Sequence, residues 1–430
     1  MPPLARGADD WTQRQKVKTS EHASPPAFIA PVLAAGVLMA MLMGTRSSMG
    51  LFIGPINTAT ALGAATVSLA FALSQLGWGA AQPVAGLLAG RYGTARVIVI
   101  GGVLSAIGLA LITVAASGPA LMATLILAGA SGAAAGGAPL LMGAVAQRVA
   151  PDRRGAAMGL VSAGSSAGQL LLAPLAALLI SSIGWQGAML VFAALVVAAL
   201  PMARVFGRPP DAAEAASQAA PAIDARAALR EPSFWFITAG FFVCGFHISF
   251  LTTHMPGVLE LCGFSTSFSG LWLAIVGGCN IAGSLASGWL MQRVPMKRLL
   301  GALYALRAVG VALFLLLPPS AGVLLGFALW MGFTYMATLP PTTGIIAKLY
   351  GARNVAVLFG VTMTLHQVGS FLGVWLGGLE LELTGGYRWM WMLDILLAAA
   401  AALAHLPVRE SAAGTPATPL RPALAGSAAR

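Results

Sequence analysis

The sequence predicts an all-α membrane protein of twelve transmembrane helices, arranged as two parallel six-helix repeats with both termini cytoplasmic. Three observations carry this. The 430 residues are 58% hydrophobic and 9% charged, with mean hydropathy +0.84, where a soluble domain carries about 25% charge. Apolar runs long enough to span recur about twelve times. And 21 of the 24 Lys and Arg fall on one side of the membrane if those runs are threaded alternately. By the positive-inside rule that side is the cytoplasm. The net charge of +11 is thus a topology signal, and it does not point to nucleic acid.

In chain order, residues 1–27 form a polar cytoplasmic tail and residues 28–206 the first six-helix bundle. A linker rich in Pro, Ala and charge runs from 207 to 231, and its later part, 222–230, reads as a short surface helix. Residues 232–408 form the second bundle and 409–430 a low-complexity tail. The spans lie near 28–55, 66–88, 97–116, 119–146, 156–182 and 185–205, then near 234–256, 267–291, 299–318, 322–347, 356–379 and 387–407. The first run is too long and starts too late for a secretory signal peptide. Three cysteines, Cys244, Cys262 and Cys279, form no spaced framework.

The halves match at an offset of 201–202 residues. Gly44-x-Arg46 aligns with Gly245-x-His247, and Ser105 and Gly108 with Arg307 and Gly310. Gly86, Arg91 and Arg96 align with Gly288, Arg293 and Arg298, and Pro139 with Gly143 aligns with Pro340 and Gly344. Gly159 aligns with Gly360, and Ser165 with Gly168 aligns with His366 and Gly369. Six spans per half give parallel repeats related by an axis along the membrane normal, with a substrate site between them at mid-depth.

Ionisable residues inside spans are functional candidates, because a charge in hydrocarbon costs about 2.5–3.5 kcal/mol on insertion scales. Arg46 reads either as an arginine snorkelling to headgroups or as a carboxylate clamp, since guanidinium offers paired planar donors. Arg307, near mid-span 9, reads as an interhelical strut or a second anion-binding charge. His247, the mate of Arg46, should face the same cavity, and His366 in span 11 is a second histidine for substrate or proton. His254 reads as interfacial, and Glu380 and Glu382 as exposed helix ends. Asp394 reads as a shallow interfacial acid or a buried proton site. Asn280 and Tyr335, with Thr338, are polar enough to line a cavity or to bond between helices. Pro139, Pro340 and Pro341 lie within spans as kinks or hinges. No span of the first half contains Asp or Glu, so the cavity should draw anions and repel cations.

Gly86-x-x-x-Gly90-Arg91-x-Gly93-x-x-Arg96 resembles the signature of the major facilitator superfamily between spans 2 and 3. That family usually has an aspartate where Gly90 stands, so the usual aspartate-centred gate is not expected here. Arg153-Arg154-Gly155 also looks like the family's loop between spans 4 and 5. Within the superfamily the chain resembles the monocarboxylate-transporter branch and its bacterial relatives, which include oxalate/formate exchangers. The carrying residues are Arg46 to Phe52, Phe241 to His247, Pro340 to Gly344 and His366 to Gly369. The resemblance implies a lysine-like role for Arg46 in meeting substrate and proton. It also implies an Asp and an Arg four residues apart in span 8, where this chain has Asn280 and Ser284.

The expected function is a secondary active transporter of small organic anions in a bacterial inner membrane. Arg46, His247, Asn280, Arg307, Tyr335 and His366 would bind substrate. The resemblance implies proton-coupled monocarboxylate symport by alternating access, with His247, His366 and Asp394 as candidate proton carriers. The loop residues Gly86, Arg91, Gly93, Arg96, Arg293 and Arg298 would gate together with the three prolines. An oxalate/formate-type exchanger is the alternative; multidrug efflux and a non-transporting sensor are further rivals. No enzymatic, nucleotide or metal motif is present. No catalysis, metal or bound cofactor is therefore expected, only a proton gradient as energy source. The expected partners are the anion, protons and the lipid bilayer.

Overall fold

The computed structural model describes residues 25–149, 153–207, 228–351 and 354–410. Both tails and most of the linker, including most of the surface helix expected at 222–230, lie outside the described residues. Among the described residues every regular element is helical. Among the described residues ten helices are long and apolar enough to cross a membrane. One of these, running from Ala157 to Phe206, has 50 residues. At about 1.5 Å per residue it would be about 75 Å long, more than twice a bilayer core of about 30 Å. Gly184, at φ 77° and ψ 167°, divides it into spans 5 and 6. Arg388–Ala404 adds span 12 at 17 residues. The total is the twelve that the sequence predicts.

Span 1 comprises Pro25–Ser48 and, after a break at Met49, Gly50–Thr60. Span 2 is Ala64–Tyr92 and span 3 Thr94–Ile112. Gly93 alone joins them, at φ 91° and ψ 141°, a conformation that a side chain would strain. Span 4 is Gly118–Gly136 followed by Ala138–Ala146, broken where Gly137 turns extended. In the second half, span 7 is Pro232–Leu261, span 8 Thr266–Leu290 and span 9 Met296–Leu316. Span 10 is Ala321–Thr334 followed by Leu339–Tyr350, and span 11 is Val355–Thr384.

The repeat is visible in the packing. Spans 1 and 5 touch through glycines: a Cβ on Gly44 would meet the Gly168 backbone at 2.6 Å. Spans 7 and 11 do the same at the matching places. A Cβ on Gly245 would lie 2.0 Å from the His366 carbonyl, and one on Gly369 2.1 Å from that of Phe242. Small residues let helices approach where lipid supplies no hydrophobic drive. Large apolar side chains such as Leu87, Leu171, Leu178 and Leu396 point outward, as a lipid-facing surface requires.

The two halves part at one end and meet at the other. A cavity of about 2510 Å³ runs between them and opens at the face that carries the loops between spans 2 and 3 and between spans 4 and 5. Arg91, Arg96, Arg148 and Arg204 line its mouth, so that face is called the basic face below. At the far end the halves are in contact. A Cβ on Gly50 would lie 2.2 Å from the Thr252 carbonyl, and one on Gly378 2.1 Å from Ser68. Glu382 on span 11 accepts a hydrogen bond from the Ala65 amide at the start of span 2, at 2.8 Å.

Candidate functional site

Arg46 stands at the deep end of the cavity, just before span 1 breaks. Its Nη2 donates to Gln75 Oε1 on span 2, and its guanidinium lies 5.1 Å from the Trp78 ring centroid. Cation–π contact of this kind contributes about 0.5–2 kcal/mol. Neither neighbour neutralises the charge. Gln75 also accepts a 3.0 Å hydrogen bond at its backbone carbonyl from Gln367 Nε2 of span 11, and Gln367 Oε1 lies 3.1 Å from His366 Nδ1. A chain of polar groups thus runs Arg46–Gln75–Gln367–His366, from one half to the other. His366 lines the cavity, its ring centroid 4.8 Å from that of Phe241.

Asn280 makes the second polar crossing. Its Nδ2 donates to Ser166 Oγ on span 5 at 2.8 Å, and its Oδ1 accepts from the Met336 amide at 3.0 Å and from Ser284 at 3.3 Å. It lines the cavity and holds the broken turn of span 10. Tyr335, in that turn, borders a smaller closed space that Arg46 also borders. Pro139 and Pro340 both line the cavity, each in the first turn of the second half-helix of its span. There the missing N–H breaks no helical bond. Pro341 is buried beside Pro340.

The structure brings Arg46, Asn280, Tyr335 and His366 to the interface between the halves. It does not bring His247 or Arg307 there. His247 was expected to face the cavity as the mate of Arg46. Instead it turns into the second bundle, 1% exposed, with Nδ1 2.6 Å from Asp394 Oδ2. Asp394 is fully buried on span 12, so the shallow interfacial reading does not hold. The His247 ring points inward to this carboxylate. Arg307 is fully buried too. Its Nη2 donates to the Thr334 and Tyr335 carbonyls at 2.5 and 2.6 Å, bonds that span 10 loses by breaking there. Its guanidinium lies 5.3 Å from the Tyr304 ring centroid.

Two further expectations change. His254, read as interfacial, is buried and bonds the Val374 carbonyl at 2.7 Å. Glu380, read as an exposed end, caps span 12 by accepting from the Trp389 and Met390 amides, both at 2.7 Å. Glu382 is exposed at the end of span 11, as expected, and there it also caps span 2 from the other half. Both acids sit at helix N-termini, where free amides and the dipole favour a carboxylate.

At the basic face, Arg91 and Arg96 flank the Gly93 turn at the mouth, and Gly86 lines the cavity wall. Arg293 stacks over Trp289 at 3.4 Å, and Arg298 lies in the first turn of span 9. Sequence reasoning missed Gln75, Trp78, Gln367 and Ser166. The signal for the glutamines is present, since each is an uncharged polar residue within an apolar run, the same signal that marks Asn280. Among the described residues no group of three or more metal-ligating side chains occurs. Among the described residues the cavity lining holds five arginines and no carboxylate. Such a surface can bind anions and repel cations.

Comparison with known proteins gives a consistent family. The model of the Major Facilitator Superfamily matches residues 33–374 and 281–426. Monocarboxylate transporter 13 of Rattus norvegicus is 28% identical over 386 residues, covering 87% of this chain and 88% of that one. Monocarboxylate transporter 11 of Mus musculus is 31% identical over 341 residues, covering 74% and 72%. The oxalate:formate antiporter of Oxalobacter formigenes is 25% identical over 359 residues, covering 80% and 83%. Among solved structures, a D-xylose-proton symporter superposes with TM-score 0.70 at 16% identity over 89% of this chain and 98% of its own.

Proposed function

Since the chain belongs to the major facilitator superfamily, in the branch that holds the monocarboxylate transporters and the oxalate:formate antiporter, we propose that it is a secondary active transporter of small organic anions, moving monocarboxylates with protons. The observation that carries the reading is Arg46, a fixed cation at the deep end of a cavity between two six-helix halves whose described lining holds no carboxylate. A guanidinium bonded on one edge to Gln75 keeps donors for a carboxylate. His366 and Asn280 flank the same cavity and would hold the rest of the anion.

Access would alternate as the halves rock. The state described is open at the basic face, which the positive-inside distribution assigns to the cytoplasm of a bacterial inner membrane. Symport gains support from the buried His247–Asp394 pair, since a proton held there would offset the charge of the anion on the return to a closed state. His366, on the cavity, is the third candidate carrier. The runner-up is exchange of organic anions. It is favoured by the same cationic lining, because a site with fixed cations returns most readily when another anion fills it.

Proteoliposome uptake of labelled formate, lactate, pyruvate and oxalate, with and without an inward proton gradient, separates these readings. Symport predicts accumulation that follows the gradient without internal anion. Accumulation that ignores the gradient but requires internal anion would replace symport by exchange. No uptake of any carboxylate would remove the organic-anion reading itself.

A further inference from the structure

Beyond Arg46 lies a second space of about 40 Å³, between the main cavity and the closed far end. Its depth follows from the residues that border it. Span 7 gives only Phe241 to the main cavity but gives Ile248, Ser249, Thr252 and Thr253, farther from the basic face, to this chamber. Span 2 gives Phe71, Ser74 and Gln75, all on the far side of Trp78. Arg46 borders both spaces. Both halves wall the chamber, so it exists only while the far end is shut.

The chamber's hydroxyls are distinctive. Most hydroxyls within these spans bond a carbonyl one turn back, as Ser48 bonds Gly44 and Thr252 bonds Ile248, both at 2.8 Å. Ser249 and Thr253 do not. They are 3% and 7% exposed, both residues border the chamber, and among the described residues their hydroxyls have no hydrogen-bond partner. Two donors without a partner, on residues that border the same chamber as a guanidinium, can serve an acceptor placed there. The volume sets its size. At about 40 Å³ the chamber admits a group of a few heavy atoms, such as a carboxylate head, and no long tail.

We propose that this chamber is a transit station for one carboxylate head, reached when the anion passes from the cavity side of Arg46 to its far side. The inference rests on the organic-anion reading. Arg46 keeps its hold on the carboxylate through the passage, while Ser249 and Thr253 donate to the oxygens that turn away from the cavity. Longer substrates leave their tails on the cavity side, so the station reads the head and ignores chain length. When the far end opens, span 7 carries both hydroxyls away from span 1 and the anion leaves.

The test compares the full-length parent with two variants in proteoliposomes, with formate and lactate as probes. Substrate protection against thermal unfolding in detergent reports binding from the open cavity. Ser249→Ala combined with Thr253→Val removes the donors at little change of volume, and Ser249→Leu fills the chamber. The double variant should lose about tenfold in transport rate for both probes alike, while protection stays within about twofold, the pattern of a group used in passage and not in initial binding. Ser249→Leu should stop transport and keep protection. Parental transport rates in the double variant would overturn the proposal, as would loss of protection in a folded variant, which would make the chamber part of the initial site. If the parent itself moved no carboxylate, the organic-anion reading would fall and take the station with it.

Discussion

Ser105 and Arg307 occupy matching places in the two halves, and both reach across to the neighbouring span. Ser105 Oγ donates to the Ala128 carbonyl at 3.1 Å, from span 3 to span 4. Arg307 donates to the Thr334 and Tyr335 carbonyls, from span 9 to span 10. The repeat has kept the interaction and changed its length and charge. Arg307→Gln should therefore lower thermal stability. A lost charged hydrogen bond is worth about 1.5–3 kcal/mol. Substrate affinity should change little. Fluorescence-detected melting beside a binding titration measures both, and a large affinity loss at unchanged melting temperature would place Arg307 on the substrate. His247 shows the limit of arguing from symmetry. Its backbone matches that of Arg46, yet its side chain points to Asp394 instead. Asp394→Asn should uncouple accumulation from the proton gradient while anion counterflow continues; coupled accumulation in that variant would move the proton to His366.

Among the elements, spans 4 and 10 break at equivalent depths, at Gly137 and between Thr334 and Leu339. The aligned prolines made these positions legible in the sequence. The break of span 1 at Met49, with no match in the continuous span 7, was not legible, because no proline or positive-φ glycine stands there. Glu382 holds the far end by capping span 2 across the halves. Glu382→Gln keeps one acceptor but loses its charge, so the far end should open more often. Spin labels at Thr58 and Leu383 would read this as a longer distance component in pulsed dipolar spectra. An unchanged distribution would mean that the glycine contacts alone keep it shut.

Glu410 ties the basic end of the second bundle. It accepts from the Lys297 amide at 3.0 Å and lies 2.9 Å from Lys348 Nζ. Burial raises its carboxyl, but the Lys297 amide and Lys348 outweigh this and hold it below the usual carboxylate range. The tether therefore contributes fully above the unfolded carboxylate value of about 4.3, and its contribution is lost as pH falls through the lower folded value. Melting the parent and Glu410→Gln across pH 3–7 (roughly the window that these carboxylates span) checks the sign. The gap between them should be widest near neutrality and close in acid.

At the scale of the molecule, the fold was almost wholly readable. Periodic apolar runs, the one-sided arginines and the 201–202 offset each reflect a physical need: hydrocarbon length, insertion charge and repeat packing. The site was read in part. Arg46, Asn280, Tyr335 and His366 were visible because polar groups in hydrocarbon demand a reason. The directions of His247 and Arg307 were not visible, since a helix position fixes a face only when the neighbouring helices are placed. Gln75, Ser249 and Thr253 gain meaning only from the closed space and contacts around Arg46. The same tertiary placement makes one residue the hinge of the whole account.

The most direct measurement is the equilibrium affinity for a labelled monocarboxylate in the parent, Arg46→Lys and Arg46→Ala. Melting temperatures confirm that each variant is folded. A carboxylate clamp predicts that Arg46→Ala weakens binding at least about tenfold, the scale of one charge-assisted hydrogen bond. Arg46→Lys should fall between, keeping the charge and losing the paired donors. Parental affinity in a folded Arg46→Ala protein would contradict the account.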